Sequence, residues 1–238
     1  MYQQKVWDLP TRLFHWLLAA GVAVSFVTAQ IGGNLIEWHS RAGLFVLGLV
    51  IFRLVWGVIG SPTARFANFV RGPGAILAYL RGRWHGVGHN PLGALSVIGL
   101  LALVGAQAVT GLFTDDDIAF RGPLADLVSQ EWSDTALGIH VLLQNILLGL
   151  VVLHLVAIVF YLRIKRENLV RPMVTGWKEV APSAAAEAAF SHTNRSRGLV
   201  ALVVAVTIAS TTVYAAAGGL IPAPALAAPA ASGAAPAW

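Results

Sequence analysis

Five apolar stretches, each about 20 residues long, constrain this chain more than any other feature, because a helix of that length crosses the hydrocarbon core of a bilayer. Charged residues make up only 11% of the chain, against about 25% in a typical soluble domain. We therefore expect an all-α integral membrane protein. The predicted transmembrane helices cover residues 13–31, 42–59, 92–113, 136–162 and 199–217.

The segments between these stretches differ in charge. Arginine and lysine predominate in segments 61–91 and 163–197, whereas segment 114–135 holds six acidic residues and one arginine. Lys/Arg-rich segments stay in the cytoplasm, so the sequence predicts a membrane protein with its N terminus in the cytoplasm and its C terminus on the outer side. The net charge of +5 is then a topology signal, and nucleic acid is excluded as a partner.

The same pattern predicts how the chain is organised. Residues 1–180 form a four-helix membrane domain, 181–197 a cytoplasmic linker, 198–218 a fifth transmembrane helix and 219–238 an Ala/Pro-rich periplasmic tail. The first stretch is too long for the apolar region of a signal peptide, so we expect it to be retained. Five tryptophans near helix ends are expected to lie at the membrane interface: Trp7, Trp38, Trp56, Trp132 and Trp177.

The chain has no cysteine and only two methionines, Met1 and Met173. Disulfides, thiolate clusters and covalent haem attachment through cysteine are therefore excluded. A metal or cofactor inside the bilayer would depend mostly on histidine.

Four histidines lie in or at the edge of the apolar stretches, and they pair by depth. His140 and His154 are 14 residues apart, which places them about 21 Å apart and within about 40° of the same helix face. His15 lies near the cytoplasmic start of the first stretch and His39 near the outer start of the second. The sequence therefore predicts two pairs, His15 with His154 and His39 with His140, each suited to the axial positions of a b-type haem.

Two alternatives compete with this hypothesis. In the first, the four histidines are unrelated polar residues that hydrogen bond between helices, an interaction worth roughly 0.6–2 kcal/mol. A structural zinc site is less consistent with the pattern, because it needs four ligands together and these histidines divide two and two. The matched depths favour two haems stacked across the membrane.

Haem propionates need cationic or hydrogen-bonding partners, and three arginines are candidates. Arg53 lies 14 residues after His39 and at cytoplasmic depth, where an inner haem would need it; Arg12, one turn before His15, is a second candidate there. Arg41, two residues after His39, is the candidate at the outer site. The alternative for Arg53 and Arg12 is that their side chains extend to the cytoplasmic surface.

The other polar residues are interpreted more simply. Three histidines in predicted loops are expected to be solvated: His85, His89 and His192. Four side chains in the third and fourth stretches are expected to hydrogen bond between helices: Gln107, Thr110, Gln144 and Asn145. Gln144, one turn after His140, is also a candidate contact of that imidazole.

Several motifs occur in an order that resembles the prokaryotic cytochrome b561 family, in particular the branch described as the cytochrome b subunit of nickel–iron hydrogenase. The resemblance covers about residues 5–180 and ends before the fifth helix. The motifs are Trp7-Asp-Leu-Pro-Thr-Arg-Leu-Phe-His15-Trp, Trp38-His39-Ser-Arg-Ala-Gly, Arg53-Leu-Val-Trp56-Gly, Gly88-His-Asn-Pro-Leu-Gly93, Thr110-Gly-Leu-Phe and Arg166-Glu-Asn-Leu-Val-Arg-Pro-Met173, with His140 and His154 between the last two.

The resemblance implies a protein of the bacterial cytoplasmic (inner) membrane, with its C terminus in the periplasm. It further implies a four-helix diheme core that exchanges electrons with membrane quinone, and it assigns the ligand role to His15, His39, His140 and His154. We expect an electron-transfer subunit of a respiratory chain whose periplasmic partner is a hydrogenase or a c-type cytochrome, docked on the acidic segment 114–135. One alternative is a stand-alone quinone-linked oxidoreductase that acts on superoxide or another small oxidant. Another is a haem-free structural or transport protein.

Overall fold

The computed structural model describes residues 2–83, 90–118, 120–180 and 195–221. Across these ranges five helices are long and apolar enough to cross a membrane, which confirms the fold class. In chain order the helices are α1 (Leu9–Ile31), α2 (Ile36–Ile59), α3 (Phe66–Phe69), α4 (Pro73–Leu80), α5 (Pro91–Gly111), α6 (Gln130–Arg163), α7 (Val170–Thr175) and α8 (Arg195–Tyr214), with a π-helical continuation at Ala215–Gly219. The membrane-spanning candidates are α1, α2, α5, α6 and α8.

Polar residues cap two of the long helices that begin earlier than hydropathy predicts. The Asp8 side chain accepts a hydrogen bond of 2.7 Å from the backbone N–H of Thr11, so that α1 begins at Leu9. Ser129 caps α6 in the same way, so that α6 begins at Gln130. Such caps satisfy the free N–H groups of a first helical turn.

Helix α2 lies at the centre of the bundle. It packs against α1, α5 and α8, while α5 also packs against α6. A single apolar core joins the first four long helices, formed by Phe14, Val46, Val50, Leu101, Val104 and Leu147. The histidine-bearing helices α1, α2 and α6 are therefore held in one bundle.

Helix α8 packs on α2 through small residues. Ala201 and Ala205 are buried in a cluster with Trp56, and a Cβ atom added at Gly48 would lie 2.9 Å from the Val213 side chain. Small residues allow two membrane helices to approach closely. The fifth helix is thus a packed part of the fold.

At one end of the bundle, which we call the sheet end, the N terminus pairs with the segment after α6. Strand β1 (Tyr2–Lys5) is antiparallel to β2 (Trp177–Val180). Beside this sheet Arg12 donates to the Val174 carbonyl, and Trp16 donates to the Met173 carbonyl at 3.3 Å. These bonds join the first turns of α1 to α7, a connection that the sequence did not predict.

At the opposite end, which we call the loop end, the acidic segment between α5 and α6 folds around Arg121. This side chain donates to buried Asp115 at 2.7 Å and to exposed Asp126 at 2.5 Å. Ser133, in the first turn of α6, donates to the Phe113 carbonyl at 2.5 Å. The loop is therefore anchored to both helices that it connects.

One tryptophan assigned to the membrane interface belongs to the core instead. Trp56 is only 4% exposed, and its indole N–H donates to the Asp8 carboxylate at 3.0 Å. Ser61 donates to the same carboxylate oxygen. Asp8 therefore joins α1 to the end of α2, and burial of this polar contact overrides the usual preference of tryptophan for the interface.

At the sheet end a phenol pair links α4 to α6. The hydroxyls of Tyr79 and Tyr161 are hydrogen bonded to each other, and the Asn90 amide donates to Tyr161 at 3.0 Å. Burial, together with the Tyr161 contact, raises the pKa of Tyr79 to about 12. Tyr79 consequently stays protonated at neutral pH.

Several predicted features lie outside the described residues. These are His85, His89 and His192, most of the linker 181–197 and all but the first residues of the tail 219–238.

Candidate functional site

The structure brings the four membrane histidines together in the two pairs that depth predicts. The ring centres of His15 and His154 are 6.5 Å apart, and those of His39 and His140 are 6.0 Å apart. The first pair lies at the sheet end, beside Trp16, and the second lies at the loop end, where Phe120 contacts the His39 ring. We call them the sheet-end pair and the loop-end pair.

Both imidazoles of the loop-end pair are oriented by a hydrogen bond at Nδ1. His39 Nδ1 lies 2.8 Å from the Ser25 carbonyl oxygen, and a carbonyl only accepts, so Nδ1 carries the proton. His140 Nδ1 lies 3.1 Å from the Thr110 hydroxyl. That hydroxyl has backbone carbonyls of its own helix within 2.9 and 3.0 Å as acceptors, so it accepts from His140. Both Nε2 atoms then keep their lone pairs.

Gln107 contacts the remaining nitrogen of His140. Its amide nitrogen lies 3.0 Å from His140 Nε2, and its amide oxygen is buried without a hydrogen-bond partner among the described residues. The Gln107 amide and a metal ion would use the same lone pair. Metal binding at His140 therefore requires the Gln107 side chain to move aside.

The sheet-end pair is less constrained by hydrogen bonds. His15 Nδ1 is buried, and the described residues supply it with no hydrogen-bond partner. The neighbouring Trp16 ring packs edge-on against His15 at 5.1 Å. This imidazole is oriented by packing and by the α1–α7 contacts.

The separation within each pair fits a metal ion between the rings. A histidine nitrogen lies about 2 Å from a bound metal, and the ring centre lies about 1 Å further, so two imidazoles on opposite sides of one metal have centres about 6 Å apart. The observed 6.5 and 6.0 Å match this distance. In the described ranges no three His, Cys, Asp or Glu side chains form a metal-binding group, so each pair suits a cofactor that brings its own equatorial ligands.

Arg53 is a buried cation at the sheet-end side of α2. It is 2% exposed, and its guanidinium carbon lies 4.6 Å from the Phe66 ring centre and 6.0 Å from that of Phe69. The described residues provide no hydrogen-bond acceptor for its Nη1. The Asp8 carboxylate acts on this buried charge electrostatically. A buried cation is costly unless it is paired, and the unused Nη1 fits a further anionic partner inside the protein. Because it is buried, the Arg53 side chain does not extend to the cytoplasmic surface, which was the alternative predicted from the sequence.

The other two arginine candidates have partners of their own. Arg12 donates to the Val174 carbonyl, while its Nε is buried without a partner in the described part of the chain. Arg41 is exposed, pairs with Glu37 at 2.9 Å and lies over the Trp38 ring. An exposed pair of this type is worth at most about 1 kcal/mol, so it leaves Arg41 available to another anion.

Comparison with known protein families adds an independent finding. A family model described as prokaryotic cytochrome b561 matches residues 6–176. The chain belongs to the prokaryotic cytochrome b561 family. No curated protein and no solved structure matches the chain.

Membership of the cytochrome b561 family makes this chain a b-type haem protein of the membrane that transfers electrons. The matched residues include α1, α2, α5 and α6, which carry all four paired histidines, whereas α8 lies outside the match. Imidazoles paired at metal-spanning distance, and a buried arginine whose Nη1 has no hydrogen-bond partner among the described residues, fit what a haem would require: ligands for the iron and a partner for a propionate.

The hydrogen bonds between helices expected of Gln107 and Thr110 are confirmed, and their common partner is His140, which the sequence did not identify. Among the described residues no hydrogen bond joins His140 to Gln144, and Asn145 donates to its own helix at Val141. The spacing of Gln107 and Thr110 places them on one face of α5, which is the signal that points to a common partner. Ser25 acts through its backbone carbonyl, for which side-chain patterns give no signal.

We expect Gly111→Ala to lower the amount of haem bound per chain. A Cβ atom at this position would lie 3.0 Å from His140 Cε1, so the added methyl group pushes the imidazole from its place. Gly99→Ala is the matched control, because that glycine lies on the same helix with open space around its Cβ position. Haem is measured spectroscopically relative to protein. Equal haem contents for the two variants would contradict the close approach of α5 to His140.

Proposed function

We propose that this cytochrome b561 protein is a diheme relay that carries electrons across the bacterial inner membrane between quinone and a periplasmic redox partner. The observation that carries the proposal is the presence of two histidine pairs at metal-spanning distance near opposite ends of one bundle. One pair alone would serve a haem near one surface, whereas two pairs suit a path through the membrane.

In this proposal each histidine pair would hold one haem: His15 with His154, and His39 with His140. The haem would supply the reversible one-electron chemistry when bound, while the chain orients it and excludes water. Because both histidines of each pair would be used to hold the haem, the sites favour electron transfer over chemistry on a small oxidant. The relay hypothesis is therefore preferred to a stand-alone oxidoreductase.

The arginines serve the propionates in this account. Arg53 suits a propionate of the sheet-end haem, since the guanidinium is buried, oriented over aromatic rings and has a free donor among the described contacts. Arg12 has a second buried donor at the same end. Arg41 lies in the first turns of α2, as His39 does, and is assigned to the loop-end haem.

The proposed orientation places the sheet end in the cytoplasm and the loop end in the periplasm, following the charge bias of the connecting segments. Residues 1–180 then form the redox domain, and α8 is an added helix that leads to a periplasmic C terminus. The loop end presents exposed acidic side chains beside exposed apolar ones. The apolar residues are Ile118, Leu127 and Trp132, and the acidic ones include Asp126, Glu131 and Asp134.

Such a surface suits a basic redox protein, for which a c-type cytochrome or a hydrogenase subunit is the proposed class. Arg121 is already engaged by two acids, so the remaining carboxylates set the local charge. Opposite charges steer the encounter of two proteins and do so less at high salt.

Haem quantitation in histidine variants tests the relay directly. We expect His15→Ala and His154→Ala each to lose about half of the haem, and the double variant to lose no more than either single one, because both residues serve one haem. His39→Ala and His140→Ala should lose the other half. Combining His15→Ala with His140→Ala should remove all of the haem. Loss of one shared haem by His140→Ala and His154→Ala alone, with His15→Ala unaffected, would overturn the pairing.

The docking surface is tested by the salt dependence of electron transfer from a reduced, basic monohaem cytochrome c to the purified protein. We expect the rate to fall steeply with added salt, and Glu131→Gln and Asp134→Asn to slow the reaction at low salt. Glu179→Gln, at the sheet end, is the control and should leave the rate unchanged. A rate that is independent of salt would exclude electrostatic docking at the loop end.

A further inference from the structure

The two histidine pairs differ in what holds their Nδ1 atoms, and this difference bears on the direction of electron flow. In the loop-end pair, His39 Nδ1 donates to the Ser25 carbonyl and His140 Nδ1 donates to the Thr110 hydroxyl. A hydrogen bond donated from Nδ1 makes the opposite nitrogen a more basic ligand. A more basic axial ligand stabilises the oxidised metal and lowers its reduction potential.

The backbone of α5 fixes the orientation of the Thr110 hydroxyl. Its hydroxyl proton is directed to the carbonyl oxygens of Ala106 and Gln107 in its own helix, at 2.9 and 3.0 Å. The hydroxyl therefore presents a lone pair to His140 rather than a proton. Because both acceptors belong to the backbone of α5, this orientation does not depend on the position of any other side chain.

The sheet-end pair has the opposite electrostatic surroundings. The described residues form no hydrogen bond with the rings of His15 or His154, and the buried cation Arg53 lies at this end of the bundle. Arg53 is one turn before Trp56, whose indole contacts Asp8 at the N-terminus of α1, two turns before His15. The Asp8 carboxylate offsets part of the Arg53 charge. The positive charge that remains stabilises an added electron and raises the reduction potential of a nearby metal.

We propose that Thr110 and the Ser25 carbonyl are positioning groups that make the loop-end haem the one of lower potential, so that electrons pass from the loop end to the sheet end. The inference rests on the proposed diheme relay. Each transfer would move one electron: the loop-end haem would be oxidised, the sheet-end haem would be reduced, and no proton or group would move. The reductant is the protein redox partner at the loop end, and the final oxidant is a quinone.

The test is a spectroscopic redox titration of the purified, haem-containing full chain. We expect the unmodified protein to titrate in two one-electron steps. Thr110→Val should raise the potential of the lower step and leave the upper step unchanged, because the isosteric side chain cannot accept from His140. Thr110→Ser should restore the original lower step. Thr212→Val is the control, since within the described part of the chain that hydroxyl bonds only to its own helix, at Ile208, and both steps should stay in place.

A second variant tests the sheet end independently. Arg53→Gln should lower the upper step and leave the lower one, because it removes the buried charge while retaining a polar side chain. If Thr110→Val prevents haem binding at the loop end, this variant decides: a lowered upper step supports the inference, and an unchanged one overturns it.

Other outcomes separate the inference from the function on which it rests. Two haems with both steps unmoved by Thr110→Val, or with the upper step moved instead, would overturn the proposed asymmetry and leave the diheme relay standing. A purified chain with fewer than two haems would overturn the relay and the inference with it.

Discussion

A buried imidazole is stabilised in an apolar helix bundle when its ring nitrogens have partners, and the paired sites of this protein depend on how its four membrane histidines are accommodated. At the loop end, backbone and hydroxyl oxygens take the Nδ1 protons of His39 and His140. The Nε2 atoms then carry lone pairs within a bundle that lacks thiolates. A haem uses two such lone pairs and supplies the remaining ligands itself, which makes the family assignment and the geometry agree.

The placement of the imidazoles depends on contacts near the ends of the helices. At the sheet end Asp8 caps α1 and accepts a hydrogen bond from Trp56 near the end of α2. This contact fixes the position of α1 relative to α2 along the axis of the bundle, and both helices carry a paired histidine. Arg12 and Trp16 then join α1 to the backbone of α7, on the chain that leaves α6. At the loop end Arg121 and Ser133 anchor the segment between α5 and α6.

Hydropathy and periodicity were sufficient to predict the five long helices and to match the histidines by depth, because both depend on chain length and on the helical repeat. They did not predict the caps that lengthen α1 and α6, or the burial of Trp56, since these depend on one polar contact overriding the local apolar pattern. The two-stranded sheet joins residues far apart in sequence and leaves no periodic signal. The hydrogen bond from His39 to the Ser25 carbonyl also could not be predicted, because every residue carries a backbone carbonyl and no side-chain pattern marks this one.

The proposed relay requires that this single chain hold two haems, each between two histidines. The most direct measurement is the ratio of haem b to protein in the purified, unmodified chain, combined with the spin state of the oxidised iron. We expect two haems per chain, both six-coordinate and low-spin. One haem per chain, or a high-spin iron with an open axial position, would contradict it.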